Sequence, residues 1–358
     1  MLEFRFCAPP LSLNGLGNQF FCWTKAYVAS RELGLRLLHP AWSRNPRGYQ
    51  HLFRTIPFDW EIYRVLSMTL PVFEFTQADY QAAGGGDYGT ALRNYATQRG
   101  LFDRRAYLLI TPGMWGGYAA IRHARHFVFA QLYAAKHTTR HLYALSRQLQ
   151  PSHLTVAVHI RRGDFRTVNE STWRGALNRA LPLEWYIRVC RALNSHFRGR
   201  IQFLLFSDGS ESELRGFCDE FHPLRMEAGN RSEASDLIAM AGVDLLVCST
   251  STFSLLAAFL SDAPYLWFEP QLESDGAFYS LANEGLTQAD ARCYGVGNEE
   301  FECAADNQLG FLPRGMPIRE FGQLPDLLVQ RLAQRLGLKH FRNDLVYYGR
   351  VPCKLASV

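Results

Sequence analysis

Two adjacent arginines, Arg161 and Arg162, are the side chains best suited to chemistry in this sequence. They follow the run 154–160, whose apolar, β-branched composition predicts a buried strand, and they precede Gly163 and Asp164. In an α/β sheet, ligands bind just past the carboxyl ends of the strands. Because arginine presents a planar, permanently charged fork, the pair predicts a phosphate-binding loop. A surface salt bridge after a strand would give the same residues.

Two further polar sets follow predicted strands. Asp208 comes directly after the strand 201–207. The hydroxyl-rich segment 249–252 follows the strand 244–248 and begins the predicted helix 253–260. Unpaired N–H groups and the helix dipole favour an anion there, although simple N-capping also explains the hydroxyls. Since the carboxyl ends of parallel strands meet at one edge of a sheet, the three polar sets together predict a diphosphate site.

A glycine-containing segment, 15–19, separates a predicted strand at 2–8 from a predicted helix at 20–33. Glycines at such a junction let backbone N–H groups approach a phosphate. Phe20 replaces the third glycine of the dinucleotide fingerprint, and the acidic residue expected about 20 residues later is not evident. The segment leaves two interpretations open, a tight turn or part of a nucleotide site.

Regular alternation of strands and helices begins at residue 154 and predicts a doubly wound parallel sheet. We expect two α/β domains, 1–150 and 151–320, followed by a helix and tail at 321–358 that cross back to the first domain. Residues 43–120 are rich in aromatic residues, Pro and Gly, and we expect them to shape a substrate cleft and to include an exposed loop at 82–89.

The composition is that of an ordinary globular protein, with 47% hydrophobic residues, 20% charged residues and a net charge of +5. This mild charge fits an anionic small ligand or a loose attraction to acidic membranes and compels neither. The sequence has no P-loop, no Asp-x-Asp, no Gly-x-Ser-x-Gly elbow and no dense Lys/Arg run. It therefore does not indicate P-loop ATP hydrolysis, a carboxylate-held metal on a sugar nucleotide, serine hydrolysis or nucleic-acid binding.

Residues 118–149 show helical periodicity and contain four histidines in two pairs, the first pair three positions apart and the second pair four. They are His123, His126, His137 and His141. Such pairs can bind a metal on one helix face, but no nearby acidic residue or cysteine completes a site. We therefore expect a solvated basic helix and no metal.

The eight cysteines are scattered without a Cys-x-x-Cys pair, which favours reduced thiols in a cytoplasm. The first residues lack the cationic and apolar regions of a signal peptide, and no apolar run approaches the length of a membrane span. We expect a bacterial cytoplasmic protein whose contact with the inner face of the membrane is peripheral.

Several segments, taken in order and spacing, are similar to the motifs of one known family. They are Gly-Leu-Gly-Asn-Gln at 15–19, His-Ile-Arg-Arg-Gly-Asp at 159–164, Leu-Pro-Leu-Glu-Trp-Tyr at 181–186, Phe-Ser-Asp at 206–208, Ser-Asp-Leu at 235–237 and Ser-Thr-Phe-Ser at 251–254. This combination resembles the α-1,2-fucosyltransferases, which are related to the α-1,6- and protein O-fucosyltransferases. Leu255 and Leu256 stand where members of the family commonly have tryptophans.

The resemblance implies a GT-B fold, in which two Rossmann-like domains face a cleft. It places the acceptor side at 1–150 and the GDP-sugar side at 151–320. It further implies inverting, metal-independent transfer of L-fucose from GDP-fucose, without a cofactor. The expected acceptor is a glycan, free or lipid-linked, and the expected position is O2 of a galactose, as in the biosynthesis of surface glycans.

The resemblance also assigns residues to the donor. They are Asn18, His159, Arg161, Arg162, Asp208, Asp236, Ser251 and Thr252. Arg161 would bind the β-phosphate, and Arg162 and Asp164 would support the loop or the donor. Asp236 and His159 would lie near the guanine, while Ser251 and Thr252 would hold the diphosphate. Asn18 would reach the donor from the first domain.

Inversion needs a base for the acceptor hydroxyl, and Glu170, the nearest carboxylate after the arginines, is the first candidate. Asp164 is the second. Three alternatives stay open: a glycosyltransferase that uses another GDP-deoxysugar, a dinucleotide-dependent oxidoreductase suggested by segment 15–19, and a non-catalytic nucleotide-binding module.

Overall fold

A computed structural model gives the fold of the chain. It describes residues 3–11, 15–53, 58–84, 88–113, 118, 121, 124–165, 179–226, 229, 231–261, 263–269, 315–319 and 321–339. The described residues form two compact units, one ending at Lys136 and the other beginning at His137. The domain boundary expected at 150 stays a prediction, and each unit is described by itself below.

The described part of the first unit contains a four-stranded sheet with helices. Its strands are β1 (Phe4–Ala8), β2 (Arg36–Leu37), β3 (Val72–Glu74) and β4 (Ala106–Ile110). Its helices are α1 (Leu16–Leu33), α2 (Asp59–Thr69), α3 (Gln77–Ala82), α4 (Tyr88–Gln98) and α5 (Arg125–Tyr133). The strand order is β2-β1-β4-β3, and every pairing is parallel.

Helix α1 starts earlier than expected. It begins at Leu16, so Gly17, Asn18 and Gln19 form its first turn rather than a loop before it. The helix ends at Leu33 and is followed by Gly34, whose φ of 65° is left-handed and whose N–H donates to the carbonyl of Ser30. Glycine suits this position because it has no Cβ to clash.

The exposed loop expected at 82–89 is shorter in the structure. Helix α3 extends through Ala82, and helix α4 starts at Tyr88, which is fully buried together with the adjoining Gly89. Tyr88 packs against Phe75 and Tyr80, so an aromatic cluster fixes the start of α4. Residues 85–87 lie outside the described residues.

The described part of the second unit contains a five-stranded sheet. Its strands are β5 (Leu154–Ile160), β6 (Ile201–Ser207), β7 (Leu245–Val247), β8 (Tyr265–Phe268) and β9 (Gly315–Ile318). Its helices are α6 (Thr138–Ser146), α7 (Leu183–Phe197), α8 (Glu211–Phe221), α9 (Glu233–Ala241), α10 (Thr252–Leu260) and α11 (Asp326–Lys339). The order is β6-β5-β7-β8-β9, again with parallel pairing throughout. Both sheets therefore confirm the predicted α/β class.

The core of the second unit explains why its elements form where they do. All seven residues of β5 are buried, as the continuous apolar run predicted for a strand covered on both faces. The late helix α11 places Leu328, Leu332 and Leu336 in the same core as Trp185 and Phe217. Its apolar face thus belongs to the second unit. The crossing of the 321–358 segment back to the first domain stays a prediction. The cleft between two facing domains stays a prediction.

The histidine-rich region is broken into two helices, α5 and α6, and His137 at the break has a left-handed φ of 64°. His126 is exposed, but His141 is buried and its Nδ1 lies 3.3 Å from the hydroxyl of Ser235 on α9. The prediction of a solvated helix was wrong for His141, because α6 packs against α9. His123 lies outside the described residues. Within the part of the chain that the structure describes, no helix is long and apolar enough to cross a membrane.

Candidate functional site

The polar residues that follow three strands lie at one edge of the second sheet. Strand β5 lies between β6 and β7, with Ile160 paired to Ser207 and Val158 paired to Val247. The three strands run in the same direction, so their carboxyl ends meet there. This topology confirms the convergence expected from the sequence, and Asp208 contacts Arg161 and Arg162 directly.

Arg161 presents its guanidinium at this edge. Nη1 lies 2.7 Å from Oδ2 of Asp208, while Nε and Nη2 donate to Oδ1 of Asp164 at 3.1 and 2.7 Å. The guanidinium carbon also lies 5.5 Å from the centre of the Phe165 ring. With its side chain 22% exposed, Arg161 is both oriented and open to a ligand.

Arg162 turns the other way, although it is the next residue. It is buried, and its Nη1 donates to the carbonyl of Leu181 at 2.7 Å. Its backbone N–H donates to Oδ1 of Asp208, also at 2.7 Å. Of the two roles that the resemblance offered for Arg162, these contacts favour support of the loop.

The hydroxyl cluster surrounds a buried histidine. Ser251 caps α10 by accepting the N–H of Ser254 at 3.2 Å, so the capping interpretation is correct for this hydroxyl. Nδ1 of His159 lies 2.6 Å from Oγ of Ser254 and 3.0 Å from Oγ of Ser249. Burial, with repulsion from Arg161, lowers the pKa of His159 to about 3. His159 is therefore a neutral imidazole at pH 7.

A buried carboxylate lies in the first turn of α9. The helix begins with a capping box between Ser232 and Ser235, and Asp236 is the next residue. Arg231 donates to Oδ2 of Asp236 from Nε at 3.1 Å and from Nη2 at 2.6 Å. Burial raises the pKa of Asp236 to about 6, against the opposing effect of Arg231. This carboxylate is thus mostly ionised at neutral pH, and its arginine partner keeps it so.

Two residues of this arrangement received no role from the sequence: Arg231, and Ser254, which ends the Ser-Thr-Phe-Ser motif. A signal for Ser254 existed, since it stands three residues after Ser251, the position that an N-cap serine bonds to. Arg231 gave no comparable signal, because an arginine just before a helix is usually a solvated side chain.

The remaining predicted residues have fewer described hydrogen bonds than those above. Thr252 is the first residue of α10 and is partly exposed. Asn18 is in the first turn of α1, in the first unit, and its Oδ1 is buried without a hydrogen-bond partner. Glu170 lies outside the described residues. Among the residues that the structure describes, no three His, Cys, Asp or Glu side chains are grouped as a metal site requires.

Three solved structures are similar to this chain. Fucosyltransferase NodZ from Bradyrhizobium is 16% identical, covering 72% of this chain and 94% of that one at a TM-score of 0.44. A variant of Arabidopsis thaliana FUT1 in complex with GDP is 10% identical, covering 74% and 70% at 0.44. POFUT1 in an apo form is 12% identical, covering 74% and 96% at 0.44. Because these scores lie below 0.5, the description of the fold rests on the sheet topology of this chain itself.

A search of curated proteins found no match to the chain. A family model does match residues 126–280, less than half of the chain, and its description is Glycosyl transferase family 11. This segment includes the arginine pair, Asp208, Asp236 and the hydroxyl cluster, but not segment 15–19. The resemblance drawn from the motifs is confirmed to this extent: the segment that carries the candidate site matches the model of Glycosyl transferase family 11.

Proposed function

We propose that the protein is an inverting, metal-independent fucosyltransferase that transfers L-fucose from GDP-fucose to O2 of a galactose in a glycan acceptor. The observation that carries the proposal is the guanidinium of Arg161, oriented by two carboxylates and still exposed, at the sheet edge where the capped helix α10 begins. The choice of sugar and linkage follows the motif resemblance, and the family model matches the same segment.

The diphosphate is the part of the donor that gains charge in the reaction. When the bond between fucose C1 and the phosphate oxygen breaks, its electron pair stays on that oxygen and GDP leaves as an anion. A fixed guanidinium beside this oxygen stabilises the developing charge without reorganising. Arg161 would serve this role, with the N-terminus of α10 and the side chains of Ser251 and Thr252 adding hydrogen bonds and a favourable dipole.

The acceptor oxygen would attack C1 from the side opposite GDP, which inverts the anomeric centre. Its proton must pass to a base as the new bond forms. We propose Glu170 for this base and Asp164 as the second choice. Oδ1 of Asp164 is already engaged by Arg161, so this residue is better placed to hold the arginine than to accept a proton.

The base of the nucleotide would be read by the buried pair formed by Asp236 and Arg231. A carboxylate accepts hydrogen bonds, and guanine offers two adjacent donors, N1–H and the N2 amino group. Adenine offers a lone pair at N1, so it would leave the buried carboxylate facing an acceptor, which is costly. His159, held neutral, adds no charge that would compete with Asp236. This arrangement favours GDP over ADP.

The test is release of nucleotide from a panel of GDP-sugars and UDP-sugars, with a galactose-terminated acceptor and with EDTA present. We expect GDP release from GDP-fucose, unchanged by chelation. Release from another GDP-deoxysugar instead would favour that alternative donor, and consumption of NAD(P)H would favour an oxidoreductase. GDP binding without turnover on any acceptor would favour a non-catalytic module. If GDP does not raise the melting temperature either, the edge is not a diphosphate site.

A further inference from the structure

Both carboxylate oxygens of Asp208 are used inside the protein. Oδ1 accepts the backbone N–H of Arg162 at 2.7 Å, and Oδ2 pairs with Nη1 of Arg161 at 2.7 Å. One side chain thus holds the backbone of the arginine loop and the guanidinium that the loop presents. A carboxylate with both oxygens engaged by its own chain is poorly suited to bind an anionic ligand as well.

Two glycines leave room for Asp208 to lie against the arginine loop. A Cβ at Gly163, where φ is +20°, would overlap Oδ2 of Asp208. A Cβ at Gly209 would lie 2.8 Å from Cγ of Arg162, a distance that real Cβ atoms do not show. The ends of β5 and β6 therefore fit together only because both positions are glycine.

A hydroxyl completes this connection between the two strand ends. Oγ of Ser207 donates to the carbonyl of Ile160 at 2.6 Å and accepts the N–H of Gly209 at 3.0 Å. These bonds fix the turn from which Asp208 projects. We call the set formed by Arg161, Arg162, Ser207 and Asp208 the arginine clamp.

The clamp limits the freedom of Arg161. Its other partner, Asp164, has a side chain that is 50% exposed, so that pair is weak and can exchange with water. Asp208 is 31% exposed and is anchored by the backbone of Arg162, so it is the firmer of the two. A preorganised guanidinium stabilises charge at the leaving oxygen better than a mobile one.

We propose that Asp208 is a positioning residue for Arg161 and makes no contact with the donor. This inference rests on the proposed function and refines it, since the motif resemblance placed Asp208 among the donor-binding residues. It predicts that Asp208 affects the reaction only through Arg161.

The substitution Asp208→Asn tests the inference, because the two possible roles of Asp208 predict opposite changes in GDP affinity. Asparagine keeps an acceptor for the N–H of Arg162 but removes the charge that holds Arg161. Loss of a negative charge close to an anionic donor would by itself strengthen GDP binding. We expect the opposite, weaker GDP binding and a kcat lowered by about tenfold to a hundredfold, because Arg161 is displaced. GDP binding that is tighter than wild type, with normal kcat, would overturn the proposal.

A double-mutant cycle separates action through Arg161 from direct contact with the donor. In an Arg161→Ala background, Asp208→Asn should change kcat/KM by less than about twofold, because its target is already gone. If the two substitutions lower kcat/KM multiplicatively, Asp208 acts on the donor itself and the inference is wrong.

Two controls complete the design. Glu220→Gln removes a carboxylate from a surface pair with Arg191, so it should leave kcat, KM and melting temperature near wild type. Asp208→Glu keeps the charge and shifts it by one methylene, and it decides the matter should Asp208→Asn fail to fold. A positioning role predicts reduced kcat for Asp208→Glu, whereas normal kcat would contradict it. Failure of the wild type to bind GDP would refute the proposed function, which is a different result from normal kinetics in Asp208→Asn.

Discussion

The carboxyl edges of the two sheets carry different kinds of charged group. In the second unit, Arg161 is paired with carboxylates that are themselves 31% and 50% exposed. In the first unit, Lys25 of α1 is fully buried just past the end of β4, and its Nζ donates to the carbonyls of Pro112 and Gly113 at 2.9 and 3.1 Å. The rings of Phe21 and Tyr88 lie within 5.8 and 5.3 Å of the same nitrogen.

This difference separates a binding cation from a structural one. Main-chain carbonyls and aromatic faces satisfy Lys25 without solvent, and burial holds its pKa well below the usual range. Such a group cannot take up a new anion without breaking the fold around it. Arg161 can exchange one exposed carboxylate for a phosphate at little cost. We therefore expect substitution of Arg161 to change donor binding, and substitution of Lys25 to change stability alone.

The largest expected effect is that of Arg161→Ala. It should lower turnover of GDP-fucose by about a hundredfold or more, as the loss of one oxyanion-stabilising donor does. The measurement is kcat with saturating donor and acceptor. Arg225→Ala is the matched control, because Arg225 forms a surface pair with Glu211 on α8, away from the strand ends. Near-normal turnover in Arg161→Ala would show that Arg161 does not bind the donor. The proposed difference in role between Arg161 and Lys25 would then be wrong.

Asp236→Asn should weaken GDP binding and stabilise the fold at the same time. We expect a loss of affinity of about tenfold or more, since a hydrogen bond to a charged group contributes roughly 1.5 to 3 kcal/mol. The stability effect follows from a pKa of about 6 in the fold against 3.8 normally. A carboxyl with a raised pKa contributes stability below pH 4 and loses it as pH rises through about 6.

The unfolding free energy of Asp236→Asn should therefore exceed that of the wild type above pH 7 by roughly 1 to 3 kcal/mol, and match it near pH 4. Denaturant unfolding at the two pH values measures this difference. Glu233→Gln changes another carboxylate in the first turn of α9. It should change neither the GDP affinity nor the difference in unfolding free energy between the two pH values. Unchanged GDP affinity in Asp236→Asn would show that this carboxylate does not read the base.

Lys25→Met should change the pH dependence of stability and leave GDP affinity as it is. Because the pKa of Lys25 is lowered from 10.5 in the fold, its contribution to stability is present above pH 10.5 and is lost as pH falls. The substitution should flatten the stability curve where pH falls below 10.5. Lys136→Met, at an exposed position, should keep the wild-type slope. Loss of GDP binding in Lys25→Met would contradict the assignment of Lys25 to structure.

The smallest expected effect is that of Tyr49→Phe in the first unit. The hydroxyl of Tyr49 accepts the N–H of Leu16 at 3.0 Å, where α1 begins without a side-chain cap. Its loss should cost about 1 kcal/mol of unfolding free energy with no change in GDP affinity. Tyr143→Phe, at a side chain that is 67% exposed, should cost nothing. An equal loss in both variants would mean that the bond to Leu16 is not what stabilises this end of the helix.

The sequence was sufficient to predict the sheet edge in the second unit. Continuous apolar, β-branched runs such as 154–160 indicate buried parallel strands, and parallel strands have a common carboxyl edge. Residue order along the chain then predicted that Arg161, Asp208 and Ser251 lie at the same edge of the sheet. Helix α10 also began within one residue of its expected start, because a hydroxyl marks its N-cap.

The direction of individual side chains could not be predicted, because it depends on contacts between distant elements. Arg161 and Arg162 are equivalent in sequence, yet one faces the edge and the other reaches Leu181. The sequence predicted a solvated helix around His141, but α9 packs against α6 and buries this residue. The partner of Asp236, Arg231, lies on an irregular segment for which no periodicity exists to guide a prediction.

The arginine clamp lies within one strand–helix–strand unit, from β5 through α7 to β6. Asp208 and the backbone of Arg162 are only 46 positions apart in sequence, and the 15-residue helix α7 lies within that interval. Closing such a loop has a modest entropic cost. We therefore expect the clamp to assemble early in folding and to open late in unfolding. Its amide protons, foremost that of Arg162, should exchange with solvent as slowly as those of the central strand β5.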